Sequence, residues 1–249
     1  MKISFIGHGN MAKAMINGIL KAGLLTKHSI YCSNSDDTNQ QAIDFSDYIF
    51  LTIKPQIYRQ TLKKLNIPAN KVLISVAPGI RLSSLPGKAI RSMPNTPALI
   101  GKGVSAICRN ELVSDREYET VKQLFSAFSV VYEFPEDQMD DITALSGSCP
   151  AYFYLFIEAI ADYSAKIGID YNTALRIASQ TAIGAAAMIM ETGLDPQTLT
   201  QKVCSPRGTT IEAVEVFKSA GLKEIVARAM AACRKRSEEL TEELSLANN

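Results

Sequence analysis

A short polar loop directly precedes an amphipathic helix pattern in the last quarter of the chain. The loop reads Ser-Pro-Arg-Gly-Thr-Thr (residues 205–210), and the apolar residues Ile211, Val214 and Phe217 that follow it recur at helical spacing. Such a loop brings hydroxyl groups, free backbone N–H groups and the positive end of a helix dipole around one point. This combination favours a site for a carboxylate or another small anion.

A second candidate binding loop lies near residue 7. Gly7, Gly9 and Ala12 form a G-x-G-x-x-A pattern between a predicted strand and a predicted helix, where this pattern indicates dinucleotide binding. Gly7 permits the tight turn, Gly9 lets the backbone approach a pyrophosphate, and Ala12 allows close packing of helix on strand. We therefore predict a bound dinucleotide cofactor, with His8 beside its phosphates rather than acting as a base. A tight turn without a ligand is the alternative.

The end of the second predicted strand bears on the choice of cofactor. An NAD enzyme usually has Asp or Glu there, on the ribose hydroxyls. This chain has Ser33 and Asn34 first, and acidic residues only at Asp36 and Asp37. Neutral donors tolerate a 2′-phosphate, so the sequence favours NADPH and leaves NADH open.

The order of predicted elements indicates the fold. Residues 1–135 read as buried strands alternating with helices, which predicts a Rossmann-type α/β domain with a parallel, doubly wound sheet. Residues 136–249 show helical patterns and no strand pattern, which predicts an all-helical domain with Asp195 as the N-cap of one helix. The roughly dozen residues between the second and third strands are expected to be too few for a full helical crossover.

The composition excludes several classes of protein. The chain has 249 residues, is 47% hydrophobic and carries a formal net charge of +1, and its densest basic run (234–236) is followed at once by acids, so no nucleic-acid partner is expected. The strongest apolar run (151–163) is interrupted by Glu158 and Asp162, so no membrane span is expected. Five scattered cysteines without a CxxC pair, and no predicted secretory signal, favour reduced thiols in the cytoplasm. No metal site is expected.

Five segments together resemble the pyrroline-5-carboxylate reductase family. They read FIGHGNMAKAM, TIKPQ, RSMPNTPALIGKG, LSGSCPAYFYLFIEAIAD and VCSPRGTTIEAV, and they follow the family's order over nearly the whole chain. The resemblance implies reduction of 1-pyrroline-5-carboxylate to L-proline with NADPH or NADH, the last step of proline biosynthesis. It also implies that the C-terminal helical domain forms a homodimer, which can build a larger homo-oligomer.

The resemblance also implies a role for particular residues. The cofactor pyrophosphate would lie on the glycine loop, at Ile6, Gly7, His8, Gly9, Asn10 and Met11. Further cofactor contacts are implied at Asn34, Asn39, Thr52, Ile53, Lys54, Pro55, Val76, Ala77 and Pro78. Substrate contacts are implied at Asn95, Thr96, Ser205, Gly208, Thr209 and Thr210. Thr210 is the expected catalytic residue, because its hydroxyl could hydrogen-bond the reacting imine nitrogen; helix capping alone is the alternative for Thr209 and Thr210.

Arg207 departs from the family's pattern, which usually has two glycines where this chain has Arg207-Gly208. We expect the Arg207 side chain to point to solvent while Gly208 makes the close approach. On a backbone that suits both residues, Arg207→Gly would cost about 0.4–1 kcal/mol of stability. The alternative is a charge-assisted pair between the guanidinium and the substrate carboxylate.

Two other functions stay open from the sequence. A β-hydroxyacid dehydrogenase shares the two-domain plan, but it needs a catalytic lysine beyond a glycine-rich turn, and residues 146–159 contain none. A non-catalytic NADP-binding regulator would keep the fold without the chemistry. The complete set of motifs around the reacting ring favours the reductase over both.

Overall fold

The computed structural model of the protein describes residues 1–246, which fall into two compact units. The first unit consists of residues 1–150 together with residues from Ala231 onward, and the second consists of residues 151–230. The predicted domain boundary near Pro135 stays a prediction, because these compact units do not define where one domain ends and the next begins.

The first unit is built on a single sheet. Within residues 1–246 seven strands form this sheet, in the order β2-β1-β3-β4-β5-β6-β7. The strands are β1 (Ile3–Ile6), β2 (Ile30–Ser33), β3 (Tyr48–Leu51), β4 (Val72–Ser75), β5 (Lys88–Pro94), β6 (Gly103–Arg109) and β7 (Ser129–Glu133). The helices of this unit are α1 (Asn10–Lys21), α2 (Asp36–Phe45), α3 (Tyr58–Lys63), α4 (Asp115–Ser126) and α5 (Met139–Ile142).

The sheet is parallel from β2 to β5, as the buried strand patterns predict. The sheet departs from this parallel pattern at one junction, where β5 and β6 pair antiparallel and β7 then follows β6 in parallel. The reason is the connection between β5 and β6, residues 95–102, which is too short for the crossover that a parallel pair requires.

The crossover from β2 to β3 contains a complete helix. α2 has 10 residues, so the expectation that this segment is too short was wrong. The strands it connects have only 4 residues each and span about 13 Å. A helix of this length is about 15 Å long, which is enough for the return.

Two apolar clusters cover the faces of the sheet. On one face Phe5 and Phe50 stack with their ring centroids 4.8 Å apart, beneath Met15 and Ala12 of α1. Ala12 is fully buried, in keeping with its place in the glycine motif, where a small residue lets the helix pack closely on the strand. The second cluster lies around Ile43 and includes residues of β3, β4 and α5.

Within the first unit, residues after Ala231 form hydrogen bonds to an ion pair between Arg91 and Asp140. Arg91 of β5 is 3% exposed, and its Nη2 lies 3.1 Å from Asp140 Oδ1. The same carboxylate oxygen accepts hydrogen bonds from Ser237 at 2.8 Å and Thr241 at 3.3 Å, both buried. A buried carboxylate needs such partners, so these two hydroxyls complete its surroundings.

The second unit is helical, as predicted for the C-terminal part of the chain. Its elements are most of α6 (Cys149–Lys166), α7 (Tyr171–Thr192), α8 (Pro196–Val203), α9 (Thr209–Ser219) and the first part of α10 (Leu222–Leu246). The predicted N-cap is confirmed, because the Asp195 carboxylate accepts a hydrogen bond from the Thr198 N–H at 3.0 Å.

One helical stretch reaches the length and hydropathy of a membrane span. Residues Glu136–Lys166 contain a window of mean hydropathy 1.2, of which 11% is buried. The acidic residues Glu158 and Asp162 therefore do not by themselves exclude a membrane span, contrary to the sequence-based argument. Length and composition are weak evidence, because helices in the core of a soluble protein can meet the same criteria.

Candidate active site

The glycine loop between β1 and α1 has the backbone that its sequence predicts. Gly7 has a positive φ of 97°, and its N–H donates to the Ser33 carbonyl at 2.9 Å. A Cβ at Gly7 would lie 2.7 Å from the Thr52 carbonyl oxygen. The Thr52 hydroxyl in turn donates to the Gly7 carbonyl at 2.7 Å. The loop is therefore held against the end of β3 so closely that no side chain fits at Gly7.

Gly9 leaves room for a ligand at the start of α1. It is the N-cap residue, no side chain caps the helix there, and a Cβ on Gly9 would have no atom within 4 Å. The N–H groups of Asn10 and Met11 in the first turn lack helical partners by geometry. Open space, free donors and a positive helix end fit the pyrophosphate of a dinucleotide. His8 is exposed in the same loop.

The turn after β2 is held by one buried hydroxyl. Ser33 Oγ donates to Asn39 Oδ1 at 2.6 Å, and it lies 2.7 Å from Thr38 Oγ1 and 3.1 Å from the Ser35 carbonyl oxygen. Asn39 is 6% exposed, so its side chain has a clear structural role, and its cofactor contact stays a prediction. Asn34 is exposed, and its side chain makes no hydrogen bond to any residue between 1 and 246. It is therefore free to contact a ribose.

The predicted nicotinamide residues follow strands that end side by side. Ile6 pairs with Leu51, and Leu51 pairs with Ser75, so β1, β3 and β4 finish at one edge of the sheet. Ligands of open α/β sheets bind at this edge. The segments 52–55 and 76–78 begin there.

The buried side chain of Tyr58 contacts the ends of β3 and β4 through its hydroxyl group. Its hydroxyl donates to the Leu51 carbonyl at 2.5 Å and lies 3.1 Å from Ser75 Oγ. Burial raises the pKa of Tyr58 well above its ordinary value, so it remains a hydrogen-bond donor at neutral pH. Sequence reasoning missed this residue, because a tyrosine inside a short helix gives no signal of such a role.

The side chain of Asn95 forms its hydrogen bonds to other residues of the first unit. It is 7% exposed, its Oδ1 accepts from the Val104 N–H at 2.9 Å, and its Nδ2 lies 3.3 Å from both the carbonyl and the hydroxyl of Ser146. Ser146 belongs to a π-helical turn, Thr143–Gly147, which sequence reasoning did not predict. Asn95 thus ties this turn to β6, and its predicted substrate contact stays a prediction. Thr96, also predicted, is exposed at the next position.

The polar loop before α9 forms a tight turn. The Gly208 N–H donates to the Ser205 carbonyl at 2.9 Å, with Pro206 second in the turn and Arg207 third. Arg207 has a φ of +62°, the only positive φ of a non-glycine residue in residues 1–246. This is the pattern of a type II turn, whose third position favours glycine. The assumption that the backbone suits Arg and Gly equally is therefore wrong.

The four predicted loop residues meet at the start of α9. Gly208 is the N-cap residue, and a Cβ there would collide with the Ser205 hydroxyl. Thr209 and Thr210 are the first two helical residues, and neither hydroxyl has a hydrogen-bond partner in the described chain. Neither threonine acts as the N-cap, so the alternative of helix capping alone gains no support. Thr210 is half-buried, with its hydroxyl unused.

No group of three or more His, Cys, Asp and Glu side chains that could hold a metal ion occurs among residues 1–246.

Sequence and structure comparisons place the chain among known proteins. Residues 136–240 match the family described as pyrroline-5-carboxylate reductase dimerisation. Residues 2–39 and 34–79 match the family described as NADP oxidoreductase, coenzyme F420-dependent. The pyrroline-5-carboxylate reductase of Escherichia coli K12 is 34% identical over an alignment of 264 positions, which covers 96% of this chain and 98% of that protein.

Two solved structures are similar over almost their whole length. A pyrroline carboxylate reductase of Plasmodium falciparum with NADP bound has a TM-score of 0.89 at 27% identity, covering 97% of this chain and 98% of that chain. The 1-pyrroline-5-carboxylate reductase of Streptococcus pyogenes has a TM-score of 0.88 at 32% identity, covering 96% and 98%. The glycine loop, the helical second unit and these full-length relatives agree: the chain belongs to the pyrroline-5-carboxylate reductase family.

Proposed function

We propose that this chain reduces the C=N bond of 1-pyrroline-5-carboxylate to give L-proline, with NADPH as the reductant, in the last step of proline biosynthesis. The family assignment supports the reaction. The single observation that carries the assignment of residues is the start of α9, where an unused Thr210 hydroxyl lies beside uncapped backbone N–H groups.

The substrate carboxylate would bind at the N-terminus of α9. Gly208 offers no side-chain cap, so the N–H groups of Thr209, Thr210 and Ile211 are free by helix geometry. Together with the helix dipole they can hold one carboxylate without a buried cation. The exposed Arg207 is not needed for this contact.

Thr210 would act on the imine nitrogen. When bound, NADPH supplies a hydride to the imine carbon, and negative charge then develops on the ring nitrogen as the C=N bond becomes C–N. A hydroxyl that donates to this nitrogen binds more strongly as its charge increases, which stabilises the transition state more than the ground state. The nitrogen takes up a proton from solvent to complete the amine, and the cofactor would leave as NADP⁺. The glycine loop and the strand ends hold and orient the cofactor.

We also propose that the chain acts as a homodimer in the cytoplasm. The second unit exposes apolar side chains that a monomer would leave in water, among them Phe153, Leu155, Ile177, Ile183 and Met190. All of these side chains lie within residues 136–240, which match the family described as pyrroline-5-carboxylate reductase dimerisation. The free cysteines of the described chain, Cys32, Cys108, Cys149, Cys204 and Cys233, are compatible with a reducing compartment.

The test is a reductase assay on the purified chain, which follows the loss of nicotinamide absorbance with 1-pyrroline-5-carboxylate. We expect Thr210→Ala to lower kcat/KM by roughly 10- to 100-fold, about 1.4–2.8 kcal/mol, because one hydrogen bond to a developing charge is lost. The affinity for NADPH should stay the same, and Thr210→Ser should restore part of the activity.

Thr120→Ala in α4 is the matched control, because it also removes one threonine hydroxyl from a helix without a predicted role in binding. Unchanged turnover and a lower melting temperature in Thr210→Ala would show that Thr210 only supports the helix. A parent chain that binds NADPH but never reduces the imine would show instead that the protein is a non-catalytic NADP-binding regulator.

A further inference from the structure

The turn between β2 and α2 places acidic groups beside the predicted adenosine ribose. Asp36 and Asp37 are the first two residues of α2, directly after Asn34 and Ser35. Carboxylates at this point of a Rossmann sheet favour the ribose hydroxyls of NADH, and they repel the 2′-phosphate of NADPH. On these two residues alone, the turn would favour NADH, contrary to the NADPH proposed above.

A lysine from a different helix offsets one of these charges. Lys64, the C-cap residue of α3, has its Nζ 2.6 Å from Asp36 Oδ2. The other oxygen of Asp36 lies 3.5 Å from the amide of the buried Asn39. The Asp36 carboxylate thus lies between the Asn39 amide, which helps to fix the turn, and the solvent-exposed ammonium group of Lys64. Asp37 is exposed and forms no ion pair with any residue of the described chain.

The Lys64 ammonium group retains capacity for a further ligand. An ammonium group has three N–H donors, and Asp36 takes one of them. The side chains of Lys64 and Asp36 are 51% and 58% exposed, so the remaining donors are accessible from solvent. No other cation forms an ion pair with the acidic residues of this turn within residues 1–246.

We propose that Lys64 determines the cofactor preference, by supplying the positive charge for the 2′-phosphate of NADPH. Asp36 holds the ammonium group at the turn and loses most of its own repulsion by pairing with it. A lysine in this arrangement acts as a point charge on the phosphate, assisted by the neutral side chain of Asn34. This inference rests on the proposed NADPH-dependent function and names the residue that selects NADPH over NADH.

The experiment measures the binding of NADPH and NADH to the full chain by titration calorimetry. We expect Lys64→Gln to raise the Kd for NADPH about tenfold, which corresponds to about 1.4 kcal/mol, and to leave the Kd for NADH within twofold. Lys63→Gln is the matched control, because this exposed neighbour forms no ion pair in the described chain, and both Kd values should stay the same. An exposed ion pair contributes little to stability, so Lys64→Gln should remain folded.

Two fragments of the cofactors test the role of Lys64 without depending on the reduction of the imine. Adenosine 2′,5′-bisphosphate should bind more weakly to Lys64→Gln than to the parent, whereas AMP should bind both equally. Equal losses for NADPH and NADH, or no loss for either, would overturn the role of Lys64. If the parent discriminates between the dinucleotides through Lys64 but reduces no imine, the proposed reaction fails while this inference stands. A parent that binds neither dinucleotide overturns both.

Discussion

Replacing Arg207 by glycine should stabilise the protein, although the residue lies in a loop that is proposed to bind substrate. A non-glycine residue in the left-handed region costs about 1–2 kcal/mol, and Arg207 has a φ of +62°. Glycine removes this strain, but it also gives the unfolded chain more conformational freedom, which lowers the stability by about 0.4–1 kcal/mol. The difference is a gain of about 0.8 kcal/mol, taken between the middles of these two ranges.

The gain should appear in the melting temperature. For a chain of this size about 0.8 kcal/mol raises the melting temperature by about 2–3 °C, measured at one fixed protein concentration because the family dimerises. Gly193→Ala is the matched control: Gly193 also has a left-handed φ, of 65°, at the end of α7, so alanine there should lower the melting temperature.

Steady-state kinetics of Arg207→Gly test whether the guanidinium of Arg207 binds the substrate. The KM for 1-pyrroline-5-carboxylate should stay within a few-fold of the parent value, because backbone N–H groups are proposed to hold the carboxylate. A clear loss of stability would refute the backbone argument. A rise in KM of roughly tenfold or more, about 1.4 kcal/mol, would show that the guanidinium binds the carboxylate.

Three other outcomes follow from the structure. Asn34→Asp should weaken NADPH binding and spare NADH, through repulsion of the 2′-phosphate; equal losses in a titration would contradict the ribose role of Asn34. Burial acts to raise the pKa of Glu117, but hydrogen bonds from Lys88 and Ser114 outweigh it and hold that pKa below its usual value. Glu117 therefore stabilises the fold above its unfolded pKa of about 4.3 and loses this effect as the pH falls through its folded pKa. In urea unfolding, Glu117→Gln should therefore destabilise more at pH 7 than at pH 3. Light scattering should give a dimer or a larger assembly at micromolar concentration, and an active monomer would count against the proposed dimer.

The glycine loop was predictable because its chemistry is local. A tight turn, an open N-cap and a small packing residue are each dictated by one side chain, and Gly7, Gly9 and Ala12 occupy these positions in the structure. The helical second half was predictable for a similar reason, since apolar periodicity and the N-cap Asp195 are read over a few residues.

The features that sequence reasoning missed depend on distant partners or on backbone angles. The contact between Lys64 and Asp36 joins residues 28 apart, and nothing in either local sequence predicts it. The π-helical turn that holds Ser146 against Asn95 has no pattern of its own in the sequence. The left-handed backbone at Arg207 was missed because arginine gives no sign of it, whereas glycine would have.

The hydrogen bonds around Asp140 have a consequence for the order of folding during synthesis. Its partner Ser237 lies 97 residues later in the chain, so at about 5–20 residues per second the ribosome needs about 5 to 20 s to add it. During that interval Arg91 and Asp140 already exist, while two of the hydroxyls that surround the carboxylate do not. All of residues 151–230 are made in the same interval. The nascent first unit can thus form its sheet early, but its final packing is a late step that depends on contacts over a long sequence separation.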